Sequence, residues 1–401
     1  MDENGQISKQ TETGRLNVAD RSTSRAINQK ALVDIIYHSD GIHKAALAKD
    51  LGLSKPAVSD NVAELINLGL VEERGSGESG KNGGRRPVIL HFNKSLSYIG
   101  ALDLSLREPV CAIGDLGHLV HSLKKIKIDR DAPAEEKRKC ITDTFMSMLS
   151  ELSIPKEKME IIIISHPGIL GDNNEPLHVV DSFHAWTNIN IKSHLEQSFN
   201  IPVLLENDNN LAAVGEMHLG QDEKLQNLIY ISCGTGLGAG VIINGELYKG
   251  FNRAAGEMGF MLDSHGRKME DIVGIDGLLN HIGNVLDVDK RYERLKFSQV
   301  VDMAKSGNPV VNRCIREIGR EIGRIIYNYS VLMDIPTIVF GGDYLKLGQS
   351  LFDGIEEAIP QTFYFRPRVV KSILMECASI FGGFVVGKDE ILQRKLLAMK
   401  Q

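Results

Sequence analysis

Side chains able to do chemistry concentrate in a few short runs. In Leu204-Leu-Glu-Asn-Asp-Asn-Asn-Leu-Ala-Ala-Val-Gly-Glu216, a strand gives way at Glu206-Asn207-Asp208 to a helical pattern. Carboxylate and amide groups at a strand's C-terminal end are well placed to hydrogen-bond a polyhydroxylated ligand, and they serve equally well as a helix cap. Ile231-Ser-Cys-Gly-Thr-Gly-Leu-Gly-Ala-Gly240 follows a further strand-like run, with Gly245 and Gly250 beyond it. Glycines at this density let backbone N–H groups approach a phosphate, or simply permit a tight hairpin. Ala255-Gly-Glu-Met-Gly259 is a more specific pattern.

A second kind of chemistry is written near the N-terminus. Val58, Val62, Leu65 and Ile66 form one apolar stripe on a helix that Ser54 can cap and that carries Pro56 in its first turn. Lys55, Pro56, Ser59, Asp60 and Asn61 are then expected near the outer face. Short polar side chains at the N-terminal end of such a helix can reach base edges while nearby cations hold phosphates. A solvated face of a small helical subdomain has the same pattern. Between Gly80 and Lys94 stand Lys81, Arg85, Arg86 and Lys94 with no acid among them. Gly83-Gly-Arg-Arg-Pro87 puts two guanidiniums on a loop able to enter a narrow minor groove.

The elements that position these groups fall into two textures. Met1–Arg25 is polar and aperiodic and reads as a mobile tail with no signal-peptide segment. Helical patterns at 26–38, 44–50 and 54–66 lead to two strand-like runs, Leu70–Arg74 and Val88–Phe92, around a glycine-rich tip. That is the plan of a winged helix-turn-helix. From Asn93 onward strands alternate with helices: 99–104, 110–113, a helix at 133–152, and a buried strand at 161–164 ending in Pro167-Gly168. Then come the strand 228–232, a long helix at 312–333, and the strand 337–340 closed by Gly341-Gly342. This alternation predicts an α/β fold.

Composition narrows the class. With 401 residues, 42% apolar and 24% charged, the chain has enough material for two or three globular domains. A net charge of −6 means that any nucleic-acid contact depends on a local basic patch. No apolar run approaches the roughly 18 to 20 residues that cross a bilayer, so no membrane partner is expected. Cys111, Cys140, Cys233, Cys314 and Cys377 are isolated, which excludes a disulfide scaffold and fits the cytoplasm.

Taken together, Glu206-Asn-Asp208, Cys233-Gly-Thr-Gly-Leu-Gly-Ala-Gly240, Gly256-Glu-Met-Gly259 and Phe340-Gly-Gly342 resemble the ROK family of repressors, uncharacterised reading frames and sugar kinases, and they stand in family order. Gly83-Gly-Arg-Arg-Pro87 is similar to the wing of its repressor branch, which includes xylose- and N-acetylglucosamine-responsive regulators. The resemblance implies an α/β protein: an N-terminal winged helix-turn-helix followed by a two-lobed, actin-like (ribonuclease H-like) domain. The boundaries expected are a tail at 1–25, the winged helix at 26–93, a first lobe at 94–204 and a second at 205–379, with a C-terminal helix at 380–401 returning to the first. By the same resemblance Asn207, Asp208, Glu257 and Glu270 line a sugar pocket with Gly168 close by, and Asp208 matches the kinase base. Gly234–Gly238 would match the second phosphate loop and Gly341-Gly342 the nucleoside site.

Departures from the family pattern set the functional expectation. The kinases' Asp-x-Gly-Gly-Thr phosphate loop is replaced by Asp103-Leu-Ser-Leu-Arg-Glu108, without its glycines. The family's zinc-ligating histidine is Phe260, and Met261-Leu-Asp-Ser-His-Gly-Arg-Lys-Met-Glu270 lacks the cysteine cluster, leaving His265 as a lone solvated residue. No metal and no cofactor is therefore expected, with Phe260 and Met261 anchoring this loop by packing. Phe183 stands where relatives often have an asparagine beside the sugar. The expected function is a sugar-responsive transcriptional regulator, most simply a repressor. It would bind operator DNA as a homodimer or tetramer, through Lys55, Pro56, Ser59, Asn61, Arg85 and Arg86. Its vestigial kinase cleft would hold a sugar or sugar-derivative effector. The alternatives are an ATP-dependent sugar kinase with a DNA-binding domain, and a repressor whose pocket has lost its ligand.

Overall fold

The computed structural model describes residues 21–76, 88–106, 108–129, 131–171, 175–178, 186, 189–220, 225–287, 295–361 and 366–398. Arg85, Arg86, Phe183 and the tail through residue 20 lie outside the described residues. The chain divides into two compact units, Met1–Asn93 with Leu392–Gln401, and Lys94–Ile391.

In the first unit α1 (Arg21–His38), α2 (Lys44–Leu51) and α3 (Lys55–Asn67) precede the antiparallel hairpin of β1 (Val71–Ser76) and β2 (Val88–Phe92). Helix α1 begins at Arg21, inside the segment expected to be a tail. Tertiary contact overrides the polar composition there, because Arg25 ion-pairs with Glu64 of α3 and Gln29 donates to the same carboxylate. The Ser54 hydroxyl caps α3 by accepting from Ala57 N at 3.3 Å. Gly52 ends α2 with φ +64°, a left-handed turn that glycine adopts without strain. Leu32, Ile36, Leu47, Val58, Val62, Leu65 and Leu90 are fully buried and form the core. Ile42 exchanges backbone hydrogen bonds with Leu90, adding a short third strand beside the hairpin.

The second unit contains two sheets of the same design. The first is built from β3 (Tyr98–Asp103), β4 (Val110–Asp115), β5 (Val120–Lys125), β6 (Met159–His166) and β9 (Val203–Asn207), with α4 (Ala134–Glu151) and α5 (Ile191–Phe199) packed against it. A two-strand ribbon, β7 (Ile169–Leu170) with β8 (Pro176–His178), follows β6. Strand order is β5-β4-β3-β6-β9: the first two pairings are antiparallel and the last two parallel. Helix α6 (Asp208–Gly215) leaves β9 directly. The second sheet runs β12-β11-β10-β13-β14 with the same senses, from β10 (Leu228–Cys233), β11 (Leu237–Ile243), β12 (Glu246–Tyr248), β13 (Thr337–Gly341) and β14 (Arg368–Lys371). Its helices are α7 (Met269–Val273), α8 (Ile275–Val285), α9 (Phe297–Lys305), α10 (Pro309–Met333) and α11 (Gln349–Ala358), and α12 (Ala378–Ala398) ends the described chain.

Two expected boundaries move for physical reasons. Strand β9 continues to Asn207, because Leu205, Glu206 and Asn207 still pair with Ile164, Ser165 and His166. The first sheet therefore keeps residues assigned to the second lobe. Helix α12 starts at Ala378 and meets both sheets: its Phe384 ring fills the space that a Cβ on Gly114 of β4 would need, while Ala378 and Val385 join the buried cluster of Tyr230 and Val339 on the second sheet. It crosses α6 closely: a Cβ on Gly382 would meet Leu211 O at 1.8 Å, and one on Gly215 would meet Ala378 O at 2.4 Å.

Candidate functional site

Between the two sheets lies a cavity of about 320 Å³ lined at strand ends and turns. Gly168, Asn207, Asp208, Glu257 and Glu270, drawn from sequence positions a hundred residues apart, all face it. Asn207 caps a helix and also lines the cavity. Its Oδ1 caps α6 by accepting from Asn210 N at 3.0 Å, while its Nδ2 donates to Gly168 O at 3.1 Å. Gly168 holds φ +105°, which turns the chain toward the cavity.

Asp208 opens α6, and its carboxyl is pushed up to about 7 by burial first, then by the nearby charges of Asp103 and Glu257. Glu257 is likewise raised to about 7, by burial and then by Glu270. Several acids thus share one small space, and each makes its neighbours harder to ionise. Such a site offers hydroxyl groups a dense set of acceptors and repels a second anion.

The glycine run is chiefly a strand. Leu237–Ile243 is β11, and Gly234-Thr235-Gly236 is the turn joining it to β10. Glycine is needed because α6 lies against the strand: a Cβ on Gly240 would meet Asn209 O at 2.3 Å, and one on Gly238 would meet Asn209 Nδ2 at 2.4 Å. Gly256, at φ +92°, sits so close to β11 that a Cβ would meet Ala239 O at 2.0 Å. This approach holds Glu257 over the cavity. The turn residues Gly234 and Gly236, and Gly342 after β13, line the same space.

Asp103 contributes a group whose part sequence reasoning missed. It ends β3 fully buried, and its Oδ1 accepts from Ser105 N at 2.8 Å and from Ser105 Oγ at 2.6 Å. Its other oxygen accepts from Ser379 Oγ at the start of α12. Burial raises its pKa in spite of these bonds. The serine two residues on was a signal for an Asx-type turn, but nothing local marked Ser379. Lys249 and Arg253, also unforeseen, both reach the Glu206 carboxylate.

Phe260 corrects an expectation. It is 43% exposed, with Lys268 Nζ 5.0 Å from its ring centroid, and does not anchor the loop. Met261 packs partly against the core, and Asp263 accepts from His265 N, Arg267 N and Arg267 Nε. His265 is exposed.

In the first unit Lys55, Pro56 and Ser59 are exposed at the start of α3. Asn61 is not. It is buried, and its Nδ2 donates to Ala57 O at 2.7 Å. Position 61 lies three residues after Val58 and one before Val62, which places it on the packed face of the helix.

The ROK family profile matches residues 110–386, about two thirds of the chain. The chain belongs to the ROK family. A MarR family profile matches residues 24–81, the three helices and the first strand of the N-terminal unit. Among ROK relatives, the chain is similar to a xylose repressor of Bacillus spizizenii, 33% identical over 87% of this chain and 90% of that protein. A xylose repressor of Staphylococcus xylosus is 29% identical over 82% and 86%. Among solved structures, a ROK family transcriptional regulator, a homolog of the E. coli Mlc protein, covers 94% of this chain and 99% of its own at 20% identity and TM-score 0.74. A ROK glucokinase from Streptomyces griseus, solved with glucose and AMPPNP, covers 72% and 99% at 21% identity and TM-score 0.58. The winged helix accompanies the ROK fold here as in a regulator.

Proposed function

We propose that this protein is a sugar-responsive transcriptional repressor, whose winged helix binds operator DNA and whose cleft binds an uncharged sugar. The observation that carries the reading is the convergence of Asn207, Asp208, Glu257 and Glu270 on one cavity in a chain that also contains a winged helix. The relatives named as xylose repressors make D-xylose the first effector to test. Lys55, Pro56 and Ser59 of α3 face the DNA, with Arg85 and Arg86 on the wing. The protein acts in the cytoplasm as a homodimer or tetramer on an inverted repeat; among the described residues no helix is long and apolar enough to cross a membrane.

Turnover is not part of this reading. Phosphoryl transfer rests on positioning and on stabilising charge at the transferred group. Asp103, at the first phosphate-loop position, spends its carboxylate on Ser105 and Ser379. On this reading the loop at 260–270 is held without zinc, by the bonds Asp263 accepts within it and by Met261 packed partly against the core. The deciding experiment is operator binding by fluorescence anisotropy, with and without D-xylose and other monosaccharides, alongside an ADP-release assay. Sugar-dependent loss of DNA affinity without ADP release is expected. Sugar phosphorylation at a rate typical of a kinase would replace this reading with the enzyme.

A further inference from the structure

Away from the cleft, α8 and α10 share a polar cluster at the rim of an otherwise apolar contact. His281 of α8 and Cys314 and Glu317 of α10 each bring one donor atom within 4.8 Å of the others. Cys314 and Glu317 are three residues apart and so share one face of α10. The thiol is fully buried in the second lobe's core. The His281 and Glu317 side chains are 37% and 39% exposed, which leaves the cluster open to solvent on one side. His281 Nε2 and a Glu317 carboxylate oxygen are hydrogen-bonded at 2.8 Å. None of the three lines the cleft.

Imidazole, thiolate and carboxylate together suit an ion of intermediate softness: magnesium and calcium prefer oxygen donors, whereas zinc takes all three. We infer that His281, Cys314 and Glu317 form a zinc site, completed by one water, that fastens α8 to α10. Binding is a ligand exchange. The Cys314 thiol releases its proton to solvent and its sulfur bonds the ion. His281 carries its remaining proton on Nδ1, so that the Nε2 lone pair bonds the ion in place of the hydrogen bond to Glu317. The ion would stiffen the segment behind Glu270, because α8 follows α7 directly and Ile275 N donates to Gly234 O at 2.8 Å. This site is separate from the cleft and stands or falls independently of the repressor reading.

The test is a titration of the reduced, metal-stripped full chain with Co²⁺ and then Zn²⁺. One equivalent of cobalt is expected to give a thiolate-to-cobalt charge-transfer band in the near ultraviolet, which one equivalent of zinc bleaches. Cys314→Ser should lose the band. His281→Ala, at the half-exposed rim where truncation spares the core, should weaken zinc binding at least about tenfold, the size that even outer-shell changes cause. His265→Ala should leave it unchanged. A wild-type protein with no charge-transfer band, a His281→Ala variant with wild-type zinc affinity, or a loss of binding on His265→Ala would overturn the assignment.

Discussion

Gly259→Ala tests the cleft without touching a polar group. A Cβ at this position would lie 2.9 Å from Glu270 Oε2 and 2.9 Å from Leu237 O, closer than side-chain carbons approach either. Leu237 belongs to β11 and its carbonyl is backbone, so the turn at 258–260 must shift away from it, while the Glu270 carboxylate, the end of a flexible side chain, must yield as well. Gly236 makes the same demand from the other side, where a Cβ would stand 3.0 Å from the same oxygen. Glu270 must therefore swing out of the cavity. The variant loses one hydrogen bond between a charged acceptor and a sugar hydroxyl, worth about 1.5–3 kcal/mol, which is about 10- to 150-fold in affinity. Overpacking adds about 1–3 kcal/mol of instability, which a melting curve reads separately. Calorimetric titration with the effector sugar should show the affinity loss. Operator affinity without sugar should match wild type, and the sugar concentration for half release should rise by the same factor. A folded Gly259→Ala protein with wild-type sugar affinity would refute the placement of Glu270 in the site.

Other perturbations probe the remaining parts. Glu257→Ala should leave operator affinity intact while abolishing release by sugar, as anisotropy measures; a normal response would remove Glu257 from the site. Arg85→Ala combined with Arg86→Ala should weaken operator binding and flatten its salt dependence by roughly one unit of slope per lost phosphate contact; an unchanged slope contradicts a wing contact. Asp208 and Glu257, raised to about 7, keep protons in the folded chain that the unfolded chain gives up above about 4. Stability of the sugar-free protein should thus fall as pH rises from about 4 through 7. Thermal melts should show that fall and its flattening in Asp208→Asn, whereas identical slopes would mean that Asp208 ionises normally.

What was legible in the sequence follows the range of the forces involved. Helix α3, with its Ser54 cap, Pro56 and apolar stripe, is a local construction, and so are β2, β10 and α10. Asn207 was readable as a cap and as a ligand contact, and it is a cap whose amide also meets the cavity wall. Long-range contacts were hidden. Nothing near Arg21 announces that Glu64 will hold a further turn of α1, and Ser379 lies 276 residues from the Asp103 that it contacts. The glycines of β11 were readable as special but ambiguous, because only the crossing of α6 explains why side chains are excluded. Asn61 was misplaced by its polarity. The stripe through Val58 and Val62 already put that position on the packed face, where its amide N–H donates to Ala57 O within the helix.

The repeated strand order explains how one scaffold could trade catalysis for sensing. Each sheet presents the C-terminal end of its central strand to the cleft: β3 ends at Asp103 and β10 ends in the Gly234-Thr235-Gly236 turn. On the proposed reading these two ends have diverged. The second keeps small residues whose backbone can approach a ligand. The first places Leu104, Ser105 and Leu106 after its aspartate and locks that carboxylate with two serine hydroxyls, one of them from α12. A phosphoryl group held between the lobes needs both ends, because its charge must be stabilised from each side. A sugar needs neither. Its hydroxyls require acceptors at Asn207, Asp208, Glu257 and Glu270, all set by β9, α6, the Gly256 turn and α7. On the proposed reading, closing one end would remove the transfer chemistry while sparing recognition, with Asp103 serving as a tie between β3 and α12 through Ser379.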